Sequence, residues 1–274
     1  MQTLQYMRRG QQAGLLQALL GEERYQDPKR LNRHEYQVHS QHGEDGSIAE
    51  IFRRIGVKDR TFVEVGVGDG LENNTAYLLF QGWKGCWVEG GAESSRAIRD
   101  NLGRRLSDGS LKLIEMFVTM ENIAPALKSA GVPDEIDLMS LDIDRNTFYI
   151  WSALSHIRAR VVVVEYNPKF PPAIDWKIKY DAEKWWDGTF YYGASLKAYE
   201  VLGRQLGYRL VGCDFSGTNA FFVREDLCDG AFLEPFDSET HYEPPRYWLW
   251  TGIGEKGKAT SPRRDQRGYA GMNE

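Results

Sequence analysis

Acidic and amide side chains follow two apolar segments that are typical of buried strands. Asp142, Asp144 and Asn146 follow the first segment, in LDIDRN, and Glu165 and Asn167 follow the second, in VEYN. Because the carboxyl ends of parallel strands meet at one edge of a sheet, these side chains are expected in one crevice. Carboxylates placed there can remove a proton from a bound substrate, or hold a hard cation such as Mg²⁺.

A glycine-rich turn lies earlier in the chain. The run TFVEV ends in Glu64 and Val65, and glycines follow at Gly66, Gly68 and Gly70. A helical segment and a second apolar strand come next, and that strand ends at Glu89. A carboxylate about twenty residues beyond such glycines can accept hydrogen bonds from both hydroxyls of a nucleotide ribose. The pattern therefore predicts a nucleotide-type cofactor with Glu89 on its ribose.

The glycine spacing indicates which kind of cofactor this is. The dinucleotide-binding fingerprint has its third glycine three residues after the second, which is the position of Leu71 in this chain. Here the third glycine is Gly70 instead. Glu64, just before the turn, suits a cation better than a phosphate. The pattern E-x-G-x-G-x-G resembles motif I of class I S-adenosylmethionine (SAM) methyltransferases. The alternative is an ordinary strand-to-helix turn with glycines for backbone reasons alone.

Three segments together resemble the FkbM-like family of SAM-dependent methyltransferases, over roughly residues 40–224. They are SQHGEDG from Ser40, VEVGVGDGLENNT with Asn73 and Asn74, and GWKGCWVEG with Glu89. The resemblance implies a Rossmann-like α/β fold with a seven-stranded sheet, helices on both faces and the last strand antiparallel. It also implies SAM as the methyl donor. The expected acceptor is an oxygen of a small molecule, such as a sugar or a polyketide.

The resemblance also assigns residues to parts of the cofactor. It implies that Glu64, Gly66 and Gly68 surround the methionine part, and that Glu89 binds the ribose. Gln41 and Asn74 are expected at the amino-acid end. The sequence departs from the family after Glu89, because two glycines, 90 and 91, stand where the family commonly has Pro or Asn. This departure predicts a looser adenine side.

The acids at the strand ends are similar in layout to those of metal-dependent O-methyltransferases. That similarity implies a Mg²⁺ site of Asp142, Glu165 and Asn167. Without a metal, Asp142, Asp144 or Glu165 is expected to act as the base. The three histidines that are alternative candidates for the base are His42, His156 and His241.

Ordinary structural roles explain the same acids equally well. In that interpretation Asp142 contacts the cofactor, Asp144 caps the next helix and Glu165 pairs with Arg160. Other polar residues invite similar assignments, with Asn73 or Asn74 as the cap of the helix after the glycine turn. The helix that begins near residue 45 would be capped by Ser40 or Asp45.

Downstream of the glycine turn, strand-like and helix-like segments alternate as in a parallel sheet. Strands are predicted at 111–118, 136–142 and 161–165, with helices at 93–102, 121–130 and 146–156. A long aromatic insert, residues 166–192, is predicted to form a substrate wall. A helix at 194–206 then precedes a hairpin of strands at 209–214 and 219–223.

The ends of the chain are predicted to be additions to this domain. Residues 1–39 form an appendage whose leucines give a partly amphipathic helix that stops at Gly21. The appendage could cover the cofactor, pack on the sheet edge or pair two subunits as a homodimer. Residues 225–274 form a C-terminal extension, in which aromatic residues 242–250 dock and the polar residues 255–274 are mobile.

Composition limits the classes of protein. The chain has 274 residues and a net charge of -5, which argues against nucleic acid as a substrate. Its three cysteines are widely spaced and predict buried thiols rather than a disulfide framework or a zinc site. No apolar run is long enough to span a membrane, and no secretory signal is recognisable. A cytoplasmic location is the corresponding expectation.

Three functions fit these observations. The first is methyl transfer from SAM to an oxygen of a small molecule. In the second, SAM itself is the substrate and is cyclised or cleaved, because this fold does not guarantee methyl transfer. The third is a non-catalytic SAM-binding scaffold that senses SAM or organises partners.

Overall fold

A computed structural model describes residues 2–249 of the chain, so the predicted mobile segment 255–274 lies outside the described residues. A seven-stranded sheet forms the centre of the fold. Its strands are β1 Thr61–Val65, β2 Lys84–Glu89, β3 Leu111–Glu115, β4 Glu135–Leu141, β5 Arg158–Glu165, β6 Tyr208–Cys213 and β7 Asn219–Arg224. The helices are α1 Gln2–Leu20, α2 Glu44–Ile55, α3 Ala76–Phe80, α4 Ala92–Ser107, α5 Ile123–Ser129, α6 Thr147–Ala153, α7 Leu196–Gln205 and α8 Ser238–His241.

The strand order is β3-β2-β1-β4-β5-β7-β6. β1 to β5 run parallel, and β7 lies antiparallel between β5 and β6. This is the predicted seven-stranded α/β sheet with its antiparallel last strand, so the prediction of the fold class is confirmed. The strand order reverses between β1 and β4, where open α/β sheets form a ligand crevice at the carboxyl ends of their strands.

The alternation of side chains along the strands builds one core on each face of the sheet. Val63 and Met139 belong to one buried cluster, while Phe62 and Leu138 belong to the other. The valines of β5 divide between the two clusters in the same way, because successive side chains of a strand point to opposite faces. A strand buried on both faces must be almost wholly apolar. The valine run therefore predicts a strand in the interior of the sheet.

The predicted hairpin is confirmed as β6 and β7, and several other boundaries differ from the predictions. β3 ends at Glu115 rather than at residue 118, and the three residues that follow it turn toward the cavity described below. α6 ends at Ala153 rather than at residue 156. α2 has Gly43 as its N-cap, in a left-handed conformation and without a side-chain cap. The carboxylate of Asp45 instead accepts hydrogen bonds from the backbone of residues 38–40.

The N-terminal segment packs on the edge of the sheet formed by β6. α1 ends before Gly21, as predicted. Leu31 lies against Gly212 of β6, where an added Cβ would be 2.9 Å from its Cδ1. Leu16, 3% exposed, belongs to a small buried cluster with Tyr25, Phe215 and Leu249. Of the three roles considered for this appendage, packing on the sheet edge is the one that these contacts show.

The three cysteines, Cys86, Cys213 and Cys228, are free and buried, as predicted. Across residues 2–249, none of the helices combines the length and the apolar character that a membrane crossing requires.

Candidate cofactor and acceptor site

A cavity of about 1380 Å³ opens at the carboxyl ends of β1, β2, β4 and β5. Pockets for a single small ligand measure about 300–1000 Å³, so this cavity has room for two. It is lined by nine of the residues predicted for the site, namely Gln41, Glu64, Gly66, Gly68, Asn74, Glu89, Asp142, Asp144 and Glu165. Asn167 is not among the lining residues.

The glycine turn between β1 and α3 has backbone angles that favour glycine. Gly66, Gly68 and Gly70 all have positive φ, at 82°, 59° and 77°. A Cβ on Gly66 would lie 1.7 Å from the carbonyl oxygen of Asp142, so this glycine lets the turn approach β4. A Cβ on Gly68 would meet nothing within 4 Å, so the backbone here is open to the cavity.

Glu64 is buried and holds the loop that follows the glycine turn. Its carboxylate accepts hydrogen bonds from Asn73 Nδ2, from the backbone of Asn74 at 2.9 Å and from both the hydroxyl and the backbone of Thr75. Ser140 of β4 donates to it at 3.1 Å. Burial nevertheless raises the pKa of Glu64. The carboxylate predicted to face the methionine part of a cofactor therefore also fixes the wall of the cavity.

The prediction that Asn73 or Asn74 caps α3 is wrong. Thr75 precedes the helix, and no side chain caps it. Asn73 donates to Glu64 instead, and Asn74 Nδ2 donates to Ser140 Oγ at 3.1 Å. A buried acid competes for these amides, and sequence spacing alone did not show that competition.

Glu89 lies at the end of β2, directly beside the glycine turn. Its Oε2 accepts hydrogen bonds from the backbone of Val67 at 3.2 Å and of Gly68 at 2.9 Å, and its Oε1 accepts one from Gly91 at 2.7 Å. The carboxylate predicted to bind a ribose is thus held at the mouth of the turn by backbone donors.

Phe117 covers the predicted adenine side of the cavity. Its ring lies against Gly90, where an added Cβ would be only 2.8 Å away, and 72% of Phe117 remains exposed. The space left by a glycine after Glu89 is therefore occupied by an aromatic ring from the segment after β3. Sequence reasoning missed Phe117 because it placed this residue inside the strand.

Asp142, Asp144 and Glu165, which we call the acid cluster, place carboxylate oxygens within 4.8 Å of one another. Burial and the neighbouring Asp144 raise the pKa of Asp142 to about 7. Burial, followed by the charges of Asp142 and Asp144, raises the pKa of Glu165 well above its usual value. Asp144 has a φ of 58°, an uncommon backbone conformation for a residue other than glycine.

Two of the three ordinary structural roles considered for the acid cluster are not found, and the third, a contact of Asp142 with the cofactor, stays a prediction. α6 has Asn146 as its N-cap residue with no side-chain cap, so Asp144 does not cap it. Arg160 lies 3.4 Å from Asp137, not beside Glu165. Among the side chains that the structure describes, no ion pair includes a member of the acid cluster. Oε2 of Glu165 is buried and has no hydrogen-bond partner among the described residues.

Asn167, the amide predicted as a metal ligand, has a different set of contacts. Its Nδ2 donates to the carbonyl oxygens of Phe190 at 2.9 Å and Tyr192 at 3.0 Å, and its Oδ1 accepts from the backbone of Lys169 at 3.1 Å. Both ends of the amide are used to fold the aromatic insert. A metal held by the acid cluster would therefore be bound without Asn167.

Of the three histidines considered as a base, only His42 lines the cavity. Burial lowers the pKa of His42 to about 4, so its imidazole is neutral near pH 7. His241 lies outside the cavity, where it is buried with Nε2 3.2 Å from the carbonyl oxygen of Leu233. His156 is exposed in the turn after α6.

Aromatic residues form one wall of the cavity, as the composition of the insert led us to expect. Trp185, Trp186, Phe190 and Tyr192 come from the insert, and Tyr247 comes from the C-terminal segment. The side chains of Tyr192 and Tyr247 meet, with hydroxyl oxygens 3.3 Å apart. Two distant parts of the chain therefore build this wall together.

Glu243 fixes the C-terminal segment that carries Tyr247. It is fully buried, and its Oε2 accepts hydrogen bonds from the hydroxyl of Tyr25 and from Arg246, both at 2.7 Å. Arg24 lies 3.3 Å from its Oε1. The N-terminal appendage thus supports the aromatic wall indirectly, through a contact between residues 218 positions apart.

No family model and no curated protein matches the sequence. Solved structures with a similar fold include the METTL16 MTase domain, at 13% identity and a TM-score of 0.42, covering 65% of each chain. A putative O-methyltransferase from Klebsiella pneumoniae has 17% identity and a TM-score of 0.39, over 61% of this chain and 76% of that one. The glycopeptide N-methyltransferase MtfA, complexed with S-adenosyl-L-homocysteine (SAH), has 11% identity and a TM-score of 0.42, over 67% and 87%. Similarity at this level concerns the fold, and function must be argued from the site.

Proposed function

We propose that this protein transfers a methyl group from SAM to a small-molecule acceptor. The observation that carries the proposal is the position of Glu89, whose carboxylate is held against the open glycine turn at the point where the strand order reverses. A ribose bound there would lie between this acid and the turn, with the adenine toward Phe117. The size of the cavity supports a second ligand beside the cofactor.

The charge of the cavity supports SAM over a phosphate-bearing nucleotide. Ten acidic residues and a single lysine, Lys184, are among the residues that line it. SAM carries a sulfonium and an ammonium group and no phosphate, so it suits such surroundings. A pyrophosphate in the same place would be repelled by these carboxylates.

The acid cluster is the proposed catalytic group. SAM, when bound, supplies an electrophilic methyl group on its sulfur. Asp142, Asp144 and Glu165 would orient the acceptor and take its proton, and a carboxyl with a pKa near 7 is well suited to do so at neutral pH. Alignment of the acceptor with the methyl group would supply much of the rate. An oxygen of the acceptor is the proposed methylated atom.

A divalent cation is a second candidate occupant of the acid cluster. Three carboxylates with an unpartnered Glu165 Oε2 match the oxygen ligands that Mg²⁺ takes, and a bound ion would lower the pKa of an acceptor hydroxyl. Turnover that is lost in excess chelator and restored by Mg²⁺ would establish this version. Full turnover in chelator would leave the carboxylates as the base.

Mass spectrometry tests the proposal against its alternatives. SAM is incubated with the protein alone and then with a panel of small hydroxylated and amino compounds. Conversion of SAM to SAH only when a panel compound is present supports methyl transfer. A SAM-derived product formed by the protein alone favours the reading in which SAM is the substrate. SAM binding without any product favours a non-catalytic scaffold, and no SAM binding contradicts all three.

A further inference from the structure

Two buried hydrogen-bond acceptors near the acid cluster, on Asn146 and Glu165, have no partner among the described residues. Asn146 is 5% exposed and lines the same cavity. Its Nδ2 donates to the carbonyl oxygen of Asp181 at 2.8 Å, and its Oδ1 is buried without a hydrogen-bond partner in the described part of the chain. Glu165 Oε2 is likewise buried without a hydrogen-bond partner among the described residues. Unpaired buried acceptors are costly, so a ligand that donates hydrogen bonds or carries positive charge is expected here.

Two aromatic rings of the cavity wall form a corner close to these acids. The ring centroids of Trp186 and Tyr192 are 6.3 Å apart, and the rings are inclined at 66°. The indole Nε1 of Trp186 donates to the carbonyl oxygen of Thr189, which fixes the ring. The charges of Glu165 and Asp142 are near enough to contribute to the raised pKa of Tyr192. The corner and the acid cluster are therefore neighbours in one cavity.

Neighbouring rings of this wall already interact with an ammonium group of the protein itself. Lys169 Nζ lies 4.5 Å from the ring centroid of Phe190 and 5.5 Å from that of Tyr247. The faces of aromatic rings attract cations through their quadrupole, and rings that meet at an angle can enclose an ammonium group. The environment of this wall is thus already suited to positive charge.

We propose that the acceptor carries a protonated amine, and that its ammonium group binds between the acid cluster and the corner of Trp186 and Tyr192. The proposal rests on methyl transfer as the function, and it narrows the acceptor to an amine-bearing small molecule. Asp142, Asp144, Glu165 and Asn146 Oδ1 would accept its hydrogen bonds while the rings cover its apolar side. A magnesium ion uses oxygen ligands and water, and gains nothing from ring faces.

A pair of matched phenols tests the charge requirement. Tyramine and 4-ethylphenol share a phenol ring and a two-carbon arm, and only tyramine carries an ammonium group. Binding of each to the protein saturated with SAH is measured by calorimetry at pH 7. We expect tyramine to bind at least about tenfold more tightly than 4-ethylphenol, because 4-ethylphenol has no amine and cannot form the charge-assisted hydrogen bonds. Equal affinity, or no detectable binding of tyramine, would overturn the proposal.

Matched variants locate the binding site. Glu165→Gln and Trp186→Leu should each reduce the preference for tyramine at least about fivefold. Glu183→Gln and Trp185→Leu are the controls, because these exposed residues line the same cavity outside the cluster and the corner. The controls should keep the preference within about twofold. An equal loss in a control and its matched variant would contradict the assigned position.

Two further measurements distinguish a failure of the amine proposal from a failure of the proposed methyl-transfer function. SAH is titrated first, because a protein that does not bind SAH refutes the proposed function itself. If SAH binds and tyramine shows no preference, only the amine proposal fails. Tyramine binding is then repeated with Mg²⁺. Competition between the ion and tyramine supports a shared site at the acid cluster, and tyramine binding that is unaffected while the ion binds the cluster would overturn the ammonium site.

Discussion

Asp142 and Glu165 leave neighbouring parallel strands at matched positions, since Leu141 pairs with Val164 in the register of β4 and β5. Each is the first acid beyond a run of buried apolar residues. The register therefore sets two carboxylates side by side, and Asp144 joins them through its left-handed backbone conformation. Such a concentration of like charge is costly in the free protein, and this cost can be measured.

The first prediction concerns the stability of the free protein as a function of pH. The pKa of Asp142 rises from 3.8 to about 7 on folding, so its ionisation opposes folding as the pH rises through this range. Asp142→Asn removes that cost. We expect the variant to unfold with a free energy on the order of 2 kcal/mol greater than the wild type at pH 8, and with little difference at pH 4.

Chemical denaturation at the two pH values measures this difference. Glu183→Gln serves as the control, because it removes an exposed acid that lines the same cavity. A gain of equal size at pH 4 and pH 8 would show that the variant acts through packing rather than through charge.

The second prediction concerns the ribose acid. Glu89→Ala removes the carboxylate expected to take the ribose hydroxyls, together with its hydrogen bonds to the glycine turn. SAM affinity measured by calorimetry should fall at least about tenfold. Glu93→Ala, which removes another acid lining the cavity, should change the affinity much less. Unchanged affinity in a folded Glu89→Ala protein would remove Glu89 from the cofactor site.

The third prediction separates two glycines of the same turn. In Gly66→Ala the new methyl group would overlap the Asp142 carbonyl oxygen, so we expect a loss of at least about 3 kcal/mol of stability or failure to fold. In Gly68→Ala only the positive φ is strained, at about 1–2 kcal/mol, and the protein should fold. Its methyl group would enter the cavity and weaken SAM binding. Normal SAM affinity in Gly68→Ala would mean that the cofactor does not approach this part of the turn.

The fourth prediction concerns the acid cluster in catalysis. Asp142→Asn and Glu165→Gln should each lower turnover at least about 100-fold, the scale of a lost general base. SAM affinity should change much less, because Glu89 and the glycine turn lie on the cofactor side. Single-turnover kinetics measure the rate of methyl transfer, and calorimetry measures the affinity for SAM. A variant that loses affinity and turnover in the same proportion would place its residue in cofactor binding instead.

The fifth prediction compares two adjacent leucines of α1. Leu16 is 3% exposed and Leu15 is 47% exposed. Leu16→Ala should lower the free energy of unfolding by about 2–3 kcal/mol, and Leu15→Ala should change it by less than about 0.5 kcal/mol in a monomer. Sedimentation of the Leu15→Ala protein also tests the proposed homodimer. A smaller species than the wild type would place the exposed side of α1 at a subunit interface.

Deletion of residues 1–39 extends this test to the whole appendage. The truncated protein loses Tyr25, which contacts Phe215 and Glu243, and with it part of the support of the aromatic wall. We expect lower stability together with altered SAM affinity or oligomeric state. Unchanged sedimentation, stability and affinity would show that the appendage is dispensable.

The sequence by itself determined the succession of strands and helices along the chain, the glycine turn and the acids at the strand ends. These features follow from local physics. The valine run of β5 needs two apolar faces, and glycines are favoured where φ is positive. Glu89, Asp142 and Glu165 were found because a strand ending in an acid is visible within a short window of sequence.

Tertiary structure alone decided which partners the polar side chains take. Asn73 and Asn74 follow the glycine turn like helix caps, yet the buried Glu64 and Ser140 hold them. Asn167 follows Glu165 by two positions, yet backbone carbonyls of the insert use its amide. Tyr247 reaches the cavity on a segment anchored by Tyr25 through Glu243. Hydrogen bonds go to whichever donor or acceptor is nearest after folding, and groups far apart in sequence become neighbours only when the chain is packed.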